Sequence, residues 1–134
     1  MRILIVEDDL ASRRLLKTLL ARYGECDIAV NGEEAVESFR LALEEAAPYD
    51  LICLDIMMPV MDGQQALQRI RAMERERNIR FGREVKVLMT TALDDVKNVN
   101  EAFFKGEATS YVTKPLDRGK IVRELQSMGL IDAA

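Results

Sequence analysis

Histidine is absent from this chain of 134 residues, and its absence removes several kinds of chemistry at once. Without imidazole there is no phosphohistidine carrier, no serine–histidine–acid triad and no histidine-ligated metal site. Any chemistry must therefore use carboxylates, hydroxyls, lysine and a bound ion. Cysteine is scarce, with only Cys26 and Cys53, both inside apolar runs. Their spacing indicates neither a metal site nor a redox pair, so we interpret both as buried structural thiols.

Long hydrophobic runs and excess positive charge are also missing. No apolar run reaches membrane-spanning length, and no charged-then-apolar signal segment precedes the first strand-like run. The net charge of −4 argues against a nucleic-acid-binding surface. Apolar residues make up 49% of the chain, enough for a packed core and too many for a disordered chain. We therefore predict one cytoplasmic domain over residues 1–134, without direct contact to nucleic acid or membrane.

Strand-like and helix-like segments alternate along the chain. Short apolar runs predict five strands, at residues 2–6, 26–30, 50–54, 84–89 and 109–113. Apolar residues recur at helical spacing between them, first at Leu15, Leu16, Leu19, Leu20 and Tyr23. A fourth helix is predicted from Val96, Val99, Ala102 and Phe103. Five strand–helix units predict an α/β fold with a parallel sheet covered by helices on both faces.

The ends of the predicted helices carry further signals. Asn31, with Glu34 three residues on, resembles a capping box. Other acids stand where N-caps are expected: Asp9, Asp94, Asp95 and Asp117. The third helix runs into a mixed-charge segment, residues 74–83, which we interpret as a solvated helix end and loop. The alternative is a partner surface involving its arginines and Phe81.

Acidic side chains follow two of the predicted strands at the point where each strand ends. Asp55 closes one apolar run, and Glu7 and Asp8 directly follow the first strand. Because the carboxyl ends of parallel strands share one edge of a sheet, these acids are expected to converge. Carboxylates held close together raise each other's pKa unless a cation neutralises them. Oxygen ligands of this kind suit a hard divalent ion, and we predict Mg²⁺.

Two more strand ends carry groups that complete a reactive set. The fourth strand runs into Thr91, and the fifth ends in Lys114, followed by Pro115, where a cis peptide bond is allowed. An aspartate can accept a phosphoryl group as a covalent intermediate. A divalent ion and a lysine would spread the charge on the transferred oxygens, and a hydroxyl would bind the phosphoryl group. Every role in a phosphoryl transfer to Asp55 therefore has a candidate.

Four motifs in this order resemble a known family: ILIVEDD, LICLDIMMPVMDG, VLMTTA and YVTKP. The sequence is similar over residues 1–128 to the receiver domains of two-component response regulators, of the stand-alone chemotaxis type. The resemblance implies a flavodoxin-like receiver fold with strand order 2-1-3-4-5. It also implies a phosphoprotein that changes conformation to change partner binding, and not a turnover enzyme.

The resemblance assigns roles to individual residues. Asp55 is implied as the phosphoacceptor, supplied by a sensor histidine kinase or a histidine phosphotransfer protein. Mg²⁺ is implied as the cofactor, with ligands from Glu7, Asp8, Asp55 and the main-chain carbonyl of Met57. The implied phosphoryl-binding and switch residues are Thr91, Lys114 and Tyr111.

The same resemblance describes the output and its timing. A downstream target is implied at the face made by the fourth helix, fifth strand and fifth helix, with the protein a monomer or a phosphorylation-dependent dimer. Glu7 replaces the more usual aspartate, and Gly106 stands one place off the usual glycine–alanine step. Met57 and Leu93 occupy two positions whose side chains, in this family, influence how water attacks the phosphoryl group, and both are apolar here. Because neither side chain can orient a water molecule, we expect slow self-dephosphorylation.

Two other functions fit the fold class less well. A phosphatase with an aspartate nucleophile and Mg²⁺ typically carries a second aspartate two residues later, and Met57 stands there. A flavin- or nucleotide-binding protein of this topology would have a glycine-rich phosphate loop after the first strand. Acids occupy that place here, and without a metal they would repel phosphate.

Overall fold

The computed structural model describes residues 1–58, 60–79, 82–92 and 108–132. Its strands are β1 (Arg2–Val6), β2 (Glu25–Ala29), β3 (Leu51–Asp55), β4 (Lys86–Thr91) and β5 (Ser110–Thr113). The helices within these ranges are α1 (Leu10–Leu20), α2 (Gly32–Glu44), α3 (Gly63–Glu76) and α4 (Arg118–Ser127). All strands are parallel, in the order β2-β1-β3-β4-β5. The predicted fold class and strand order are confirmed.

Helices cover both faces of the sheet, and this explains why the central strands are apolar throughout. Alternate residues of β1 and β3, such as Leu4 and Ile52, pack against α2 and α3. The residues between them, such as Ile5 and Cys53, pack against α1 and α4. A strand buried on both faces needs apolar side chains at successive positions, whichever way they point. The register is seen in the backbone pairing, where Val6 lies opposite Leu54, and it aligns the carboxyl ends of the two strands.

The observed strand ends differ from the predicted ones by one or two residues. Asp55 is the last residue of β3, and β4 extends through Thr90 and Thr91, because these polar residues still pair in the ladder. The start of β4 moves from Glu84 to Lys86. The reason is that the Val85 amide donates to the Glu74 side chain instead of to a neighbouring strand.

Several predicted helix features are confirmed and others are corrected. Asp9 and Asp117 are N-caps, as predicted. Asn31 caps α2, but the Glu34 carboxylate accepts from the Val30 amide, so the predicted capping box is incomplete. Leu15 is 39% exposed and lies outside the core. The predictions for Asp94, Asp95, Gly106, Phe81, Leu93 and the predicted fourth helix fall outside the described residues.

The prediction that segment 74–83 is solvated is wrong for its first residue. Glu74 is 2% exposed and accepts from Arg71 Nη1 at 2.7 Å and from the Val85 amide at 2.8 Å. Arg71, also buried, donates to the Val85 carbonyl at 2.9 Å. This network fastens the last turns of α3 to the chain that enters β4. A charged run at a helix end gives no sign that one of its members faces inward.

A second polar network lies at the same end of the sheet, where the strands begin. Arg2 donates to Asp27 Oδ2 at 3.0 Å, and its guanidinium lies 4.6 Å from the centre of the Tyr49 ring. The Tyr49 hydroxyl donates to the same Asp27 oxygen at 2.6 Å. Both cysteines are free thiols, Cys53 buried and Cys26 half-buried. Across the described ranges, no helix combines the length and apolarity required to cross a bilayer.

Candidate functional site

Strand register brings the predicted site residues to one edge of the sheet. Leu54 lies opposite Val6, so Asp55, the last residue of β3, and Glu7, the residue after β1, are neighbours at this edge. Backbone hydrogen bonds continue just past the strand ends: the Glu7 amide donates to the Ala29 carbonyl at 3.1 Å, and the Lys114 amide to the Thr91 carbonyl at 2.7 Å. The backbones of Glu7 and Lys114 are therefore held by the sheet and not by loops alone.

Three carboxylates converge at this edge. Glu7, Asp8 and Asp55 each offer an oxygen, and these atoms all lie within 4.8 Å of one another. Glu7 is fully buried and Asp55 is 5% exposed, while Asp8 is exposed. Separate buried charges of one sign are costly, so this cluster requires a positive partner.

Lys114 is the cation that the chain itself supplies. Its Nζ donates to Glu7 Oε1 at 2.8 Å and lies 3.6 Å from Asp55 Oδ1. The second Glu7 oxygen, Oε2, is buried and has no hydrogen-bond partner among the described residues. Burial lowers the pKa of Lys114, but its hydrogen bond to Glu7 and the charge of Asp55 outweigh this and raise that pKa overall. One lysine therefore neutralises only part of the cluster.

The excess negative charge of the cluster affects the protonation of Asp55. Burial, followed by the hydrogen bond to Glu7 and its charge, raises the pKa of this carboxyl to about 8, and the opposing charge of Lys114 is too weak to prevent this. A proton on Asp55 is thus the protein's own means of reducing the negative charge. A divalent cation would do the same by a different route.

The residues present fit a magnesium ion. The donors are carboxylate oxygens, the ligand type that Mg²⁺ prefers, and the unpartnered Glu7 Oε2 shows that the protein alone leaves one buried acceptor unsatisfied. Asp8 lies on the exposed side, where the ion would keep several of its waters. Glu7, Asp8 and Asp55 would hold the ion, and it would neutralise their charge.

The other predicted site residues lie on the neighbouring strands. Thr91 is 1% exposed, and its hydroxyl donates to the Ala92 carbonyl at 3.0 Å. Tyr111 is half-buried on β5 and packs against the cluster on the α2–α3 side of the sheet. The Met57 side chain is 60% exposed, two residues after Asp55. The Lys114–Pro115 peptide bond is cis.

Gly63, the first residue of α3, is also a contact residue of the site. A Cβ at this position would lie 2.3 Å from the Asp55 carbonyl oxygen. The Gly63 amide donates to the Ile56 carbonyl at 2.8 Å, and Asp62 caps α3 in a full capping box with Gln65. The tight approach of α3 to β3 requires glycine because nothing larger fits between helix and strand. The Asp-Gly pair after the proline of the motif is the only sequence signal of this contact.

We expect Gly63→Ala to lower the free energy of unfolding by about 1–3 kcal/mol, because the added methyl overpacks a backbone contact. Urea unfolding at pH 7 measures the change. Gly119→Ala in α4 is the matched control, since its Cβ meets only the Asp117 side chain, at 3.3 Å. Equal stabilities of the two variants would show that the Gly63 contact relaxes without cost.

The chain is similar to known proteins in both sequence and fold. A family model described as "Response regulator receiver domain" matches residues 3–126. Chemotaxis protein CheY of Treponema pallidum is 32% identical over 129 residues, which cover 95% of this chain and 81% of that protein. Probable histidine kinase 2 of Oryza sativa is 32% identical over 138 residues, and the chain spans 13% of its length.

Solved structures give a consistent result. In a CheX–CheY complex with beryllofluoride and Mg²⁺ from Borrelia burgdorferi, the matching chain superposes with a TM-score of 0.79 at 31% identity, covering 96% of this chain and 89% of that one. The receiver domain of a Pseudomonas aeruginosa sensor histidine kinase, with a magnesium ion coordinated in its active-site cleft, has a TM-score of 0.74 at 29% identity, covering 96% and 97%. Both resemblances extend over nearly the whole chain.

Proposed function

The chain belongs to the response regulator receiver family of two-component signalling, and we propose that Asp55 is its phosphoryl acceptor. The observation that carries the proposal is the charge balance at Asp55. A nearly buried carboxyl ends a central strand, beside two further acids, one lysine and one unsatisfied acceptor. Such an arrangement is unfavourable for a resting protein, and it is suited to receiving a cation and then a phosphoryl group.

The proposed transfer uses groups that are already in place. An Asp55 oxygen forms the new P–O bond while the P–N bond to the donor imidazole breaks. The carboxyl must be ionised to attack, and Mg²⁺, when bound, supplies the positive charge that favours this form and stabilises the phosphoryl oxygens. Lys114 lies close enough to Asp55 to donate to a phosphoryl oxygen after leaving Glu7. Thr91 would turn its hydroxyl from the Ala92 carbonyl to the phosphoryl group, and half-buried Tyr111 would move inward as it does so.

The partners follow from the same proposal. The donor is a sensor histidine kinase or a histidine phosphotransfer protein, and the domain, residues 1–134, acts in the cytoplasm. The downstream target binds the face made by the predicted fourth helix, β5 and α4, where α4 is the fifth helix in the sequence prediction. Phosphorylation selects between two conformations of this face. In the described part of that face, β5 and α4 border a cleft of about 490 Å³ lined by Ser110, Tyr111, Lys120, Arg123 and Glu124.

Receiver domains are generally non-catalytic signalling modules, and we propose that this one only takes up its own phosphoryl group and loses it slowly. The Met57 side chain is exposed beside the acceptor but carries no group that can position a water molecule. Met57 also stands where an aspartate-nucleophile phosphatase would carry its general acid. Both features favour a long-lived phosphoprotein over turnover.

We expect Met57→Asn to shorten the lifetime of the phosphorylated protein about tenfold, because an amide orients the attacking water. The measurement is single-turnover decay after removal of the phosphoryl donor. Met57→Leu is the control and should leave the lifetime unchanged. A wild-type lifetime of only seconds would contradict the expectation of slow hydrolysis.

Incubation with acetyl phosphate tests the function as a whole. With Mg²⁺ the intact protein should gain the mass of one phosphoryl group, and hydroxylamine should remove it, as expected for an acyl phosphate. With EDTA in place of Mg²⁺ the gain should be absent. A mass gain that resists hydroxylamine, or that persists in EDTA, would refute a magnesium-dependent aspartyl phosphate.

A further inference from the structure

Helices α2 and α3 lie side by side on one face of the sheet, and the outward side of α2 carries an acidic stripe. Its members are Glu37, Leu41 and Glu44, spaced so that they share one face of the helix. Leu41 is 42% exposed, a large fraction for a leucine in a helix that otherwise buries its apolar face. The Glu37 and Glu44 side chains both contact Arg40, yet they remain 55% and 47% exposed.

The outward side of α3 carries a stripe of the opposite charge. Its members are Arg69, Ala72 and Arg75, three residues apart, with both arginines exposed, and one exposed acid, Glu76, lies beside it at the end of the helix. Neither arginine forms a salt bridge within the part of the chain that the structure describes. The stripe lies in a basic region, since residues 69–86 hold seven basic and three acidic residues in a chain whose net charge is −4.

We propose that the chain forms a two-fold symmetric dimer in which α2 of each copy lies along α3 of the other. Both helices return the chain from the carboxyl edge of the parallel sheet to its amino edge, so they run in the same direction. Their lengths are 13 and 14 residues. A two-fold axis that runs parallel to both helices, in front of the groove between them, places α2 of each copy opposite α3 of the other.

The two stripes match in register as well as in charge. Counted from the N-caps Asn31 and Asp62, Leu41 and Ala72 are both the tenth residue, and Glu44 and Arg75 are both the thirteenth. Glu37 and Arg69 differ by one position in the same count. Each contact therefore pairs acid, leucine, acid with arginine, alanine, arginine. The small alanine leaves room for the exposed leucine, and the arginines present forked donors to carboxylates.

A second copy fits both stripes better than a polyanion or a basic partner does. A long polyanion bound to α3 would also meet the acids of α2 on the same face, and like charges repel it. A basic partner would satisfy α2 and leave α3 unpaired. Only a surface with both signs in this order is complementary to both helices, and the chain carries that surface itself. A mainly polar contact made by only two helices from each copy gives a weak dimer that is sensitive to salt.

Charge reversal tests the dimer, with sedimentation equilibrium of the full chain at low salt as the measurement. The variants Glu37→Arg/Glu44→Arg and Arg69→Glu/Arg75→Glu should each weaken self-association at least tenfold. The second pair breaks no salt bridge seen in the described residues, so a folding defect is not expected of it. Mixed in equal amounts, the two variants should associate as the wild type does. The variant with all four changes should also recover, at the wild type's net charge.

Several results would overturn the proposal. A wild type that stays monomeric at the highest concentration reached would do so, as would mixed or fourfold variants that fail to recover. Arg14→Glu/Lys17→Glu on α1 is the control, and a matching loss there would mean that total charge, not the stripes, governs association. Asp55→Asn should dimerise like the wild type. The contact does not require phosphorylation, so failure of either proposal leaves the other standing.

Discussion

Asp55→Asn is expected to abolish phosphoryl uptake from acetyl phosphate, with no mass gain under conditions that fully label the wild type. An amide lacks the anionic oxygen needed to form the P–O bond, and the neighbouring carboxylate, Glu7, is fully buried and already hydrogen-bonded to Lys114. Intact-protein mass spectrometry over a time course measures the loss. The predicted effect is complete because the substitution removes the acceptor atom itself and not a supporting contact.

Asp9→Asn is the matched control for this substitution. It removes the same charge close to the site, but Asp9 serves as the N-cap of α1, and asparagine caps a helix about as well as aspartate. Its labelling should proceed to the wild-type extent. Unchanged incorporation in Asp55→Asn would place the phosphoryl group on another residue and refute the assigned site.

The second large effect expected is a pH-dependent difference in stability between the wild type and Asp55→Asn when metal is removed. In the folded protein the pKa of Asp55 is raised to about 8, from an ordinary value of 3.8. For a raised pKa, the contribution to stability is fully present below the unfolded pKa and is lost as pH rises through the folded one. The wild type should therefore lose stability relative to Asp55→Asn between about pH 4 and pH 8. The loss should be on the order of 5 kcal/mol, because each unit of pKa difference between the folded and unfolded states is worth about 1.4 kcal/mol.

Urea unfolding in EDTA at pH 5 and at pH 9 measures this difference. Added Mg²⁺ should restore the wild type at pH 9, because an ion that binds only the folded protein stabilises it by mass action, and should do little for Asp55→Asn. Parallel stability curves for the two proteins across this range would mean that the cluster is not strained by its own charge. Asp9→Asn should follow the wild type at both pH values.

The sequence was sufficient for the fold and for the composition of the site. Apolar runs of strand length, separated by amphipathic helices, determine a parallel sheet, and a parallel sheet brings the residues at its strand ends to one edge. Asp55, Glu7 and Lys114 were therefore predictable as neighbours, even though Lys114 and Glu7 are 107 positions apart. What spacing cannot reveal is which acid the lysine contacts. The side-chain length of Glu7 settles this, because it carries an oxygen to within 2.8 Å of Lys114 Nζ.

The features that sequence reasoning missed depend on contacts between elements, not on local pattern. Glu74 was expected in solvent because its neighbours are charged. The chain that enters β4, however, brings the Val85 amide to this point, and that amide needs an acceptor. Gly63 begins α3 after the N-cap Asp62, and its proximity to the Asp55 carbonyl appears only once α3 is docked on the sheet. Contacts of this kind depend on how helices pack against strands, and the periodicity of apolar residues along the sequence does not determine them.

Helix α3 touches the acceptor strand at one end and is fastened at the other. Gly63 abuts the Asp55 carbonyl, while Glu74 and Arg71 tie the last turns to Val85. A helix held in this way cannot slide, so a small displacement of the Asp55 backbone must tilt it about its distant end. The arm from Gly63 to Glu74 is about 16 Å at the usual rise per residue, so a shift of half an ångström becomes a rotation of about 2°. A small shift of the Asp55 backbone would thus change the inclination of all of α3, and with it the surface that α3 exposes.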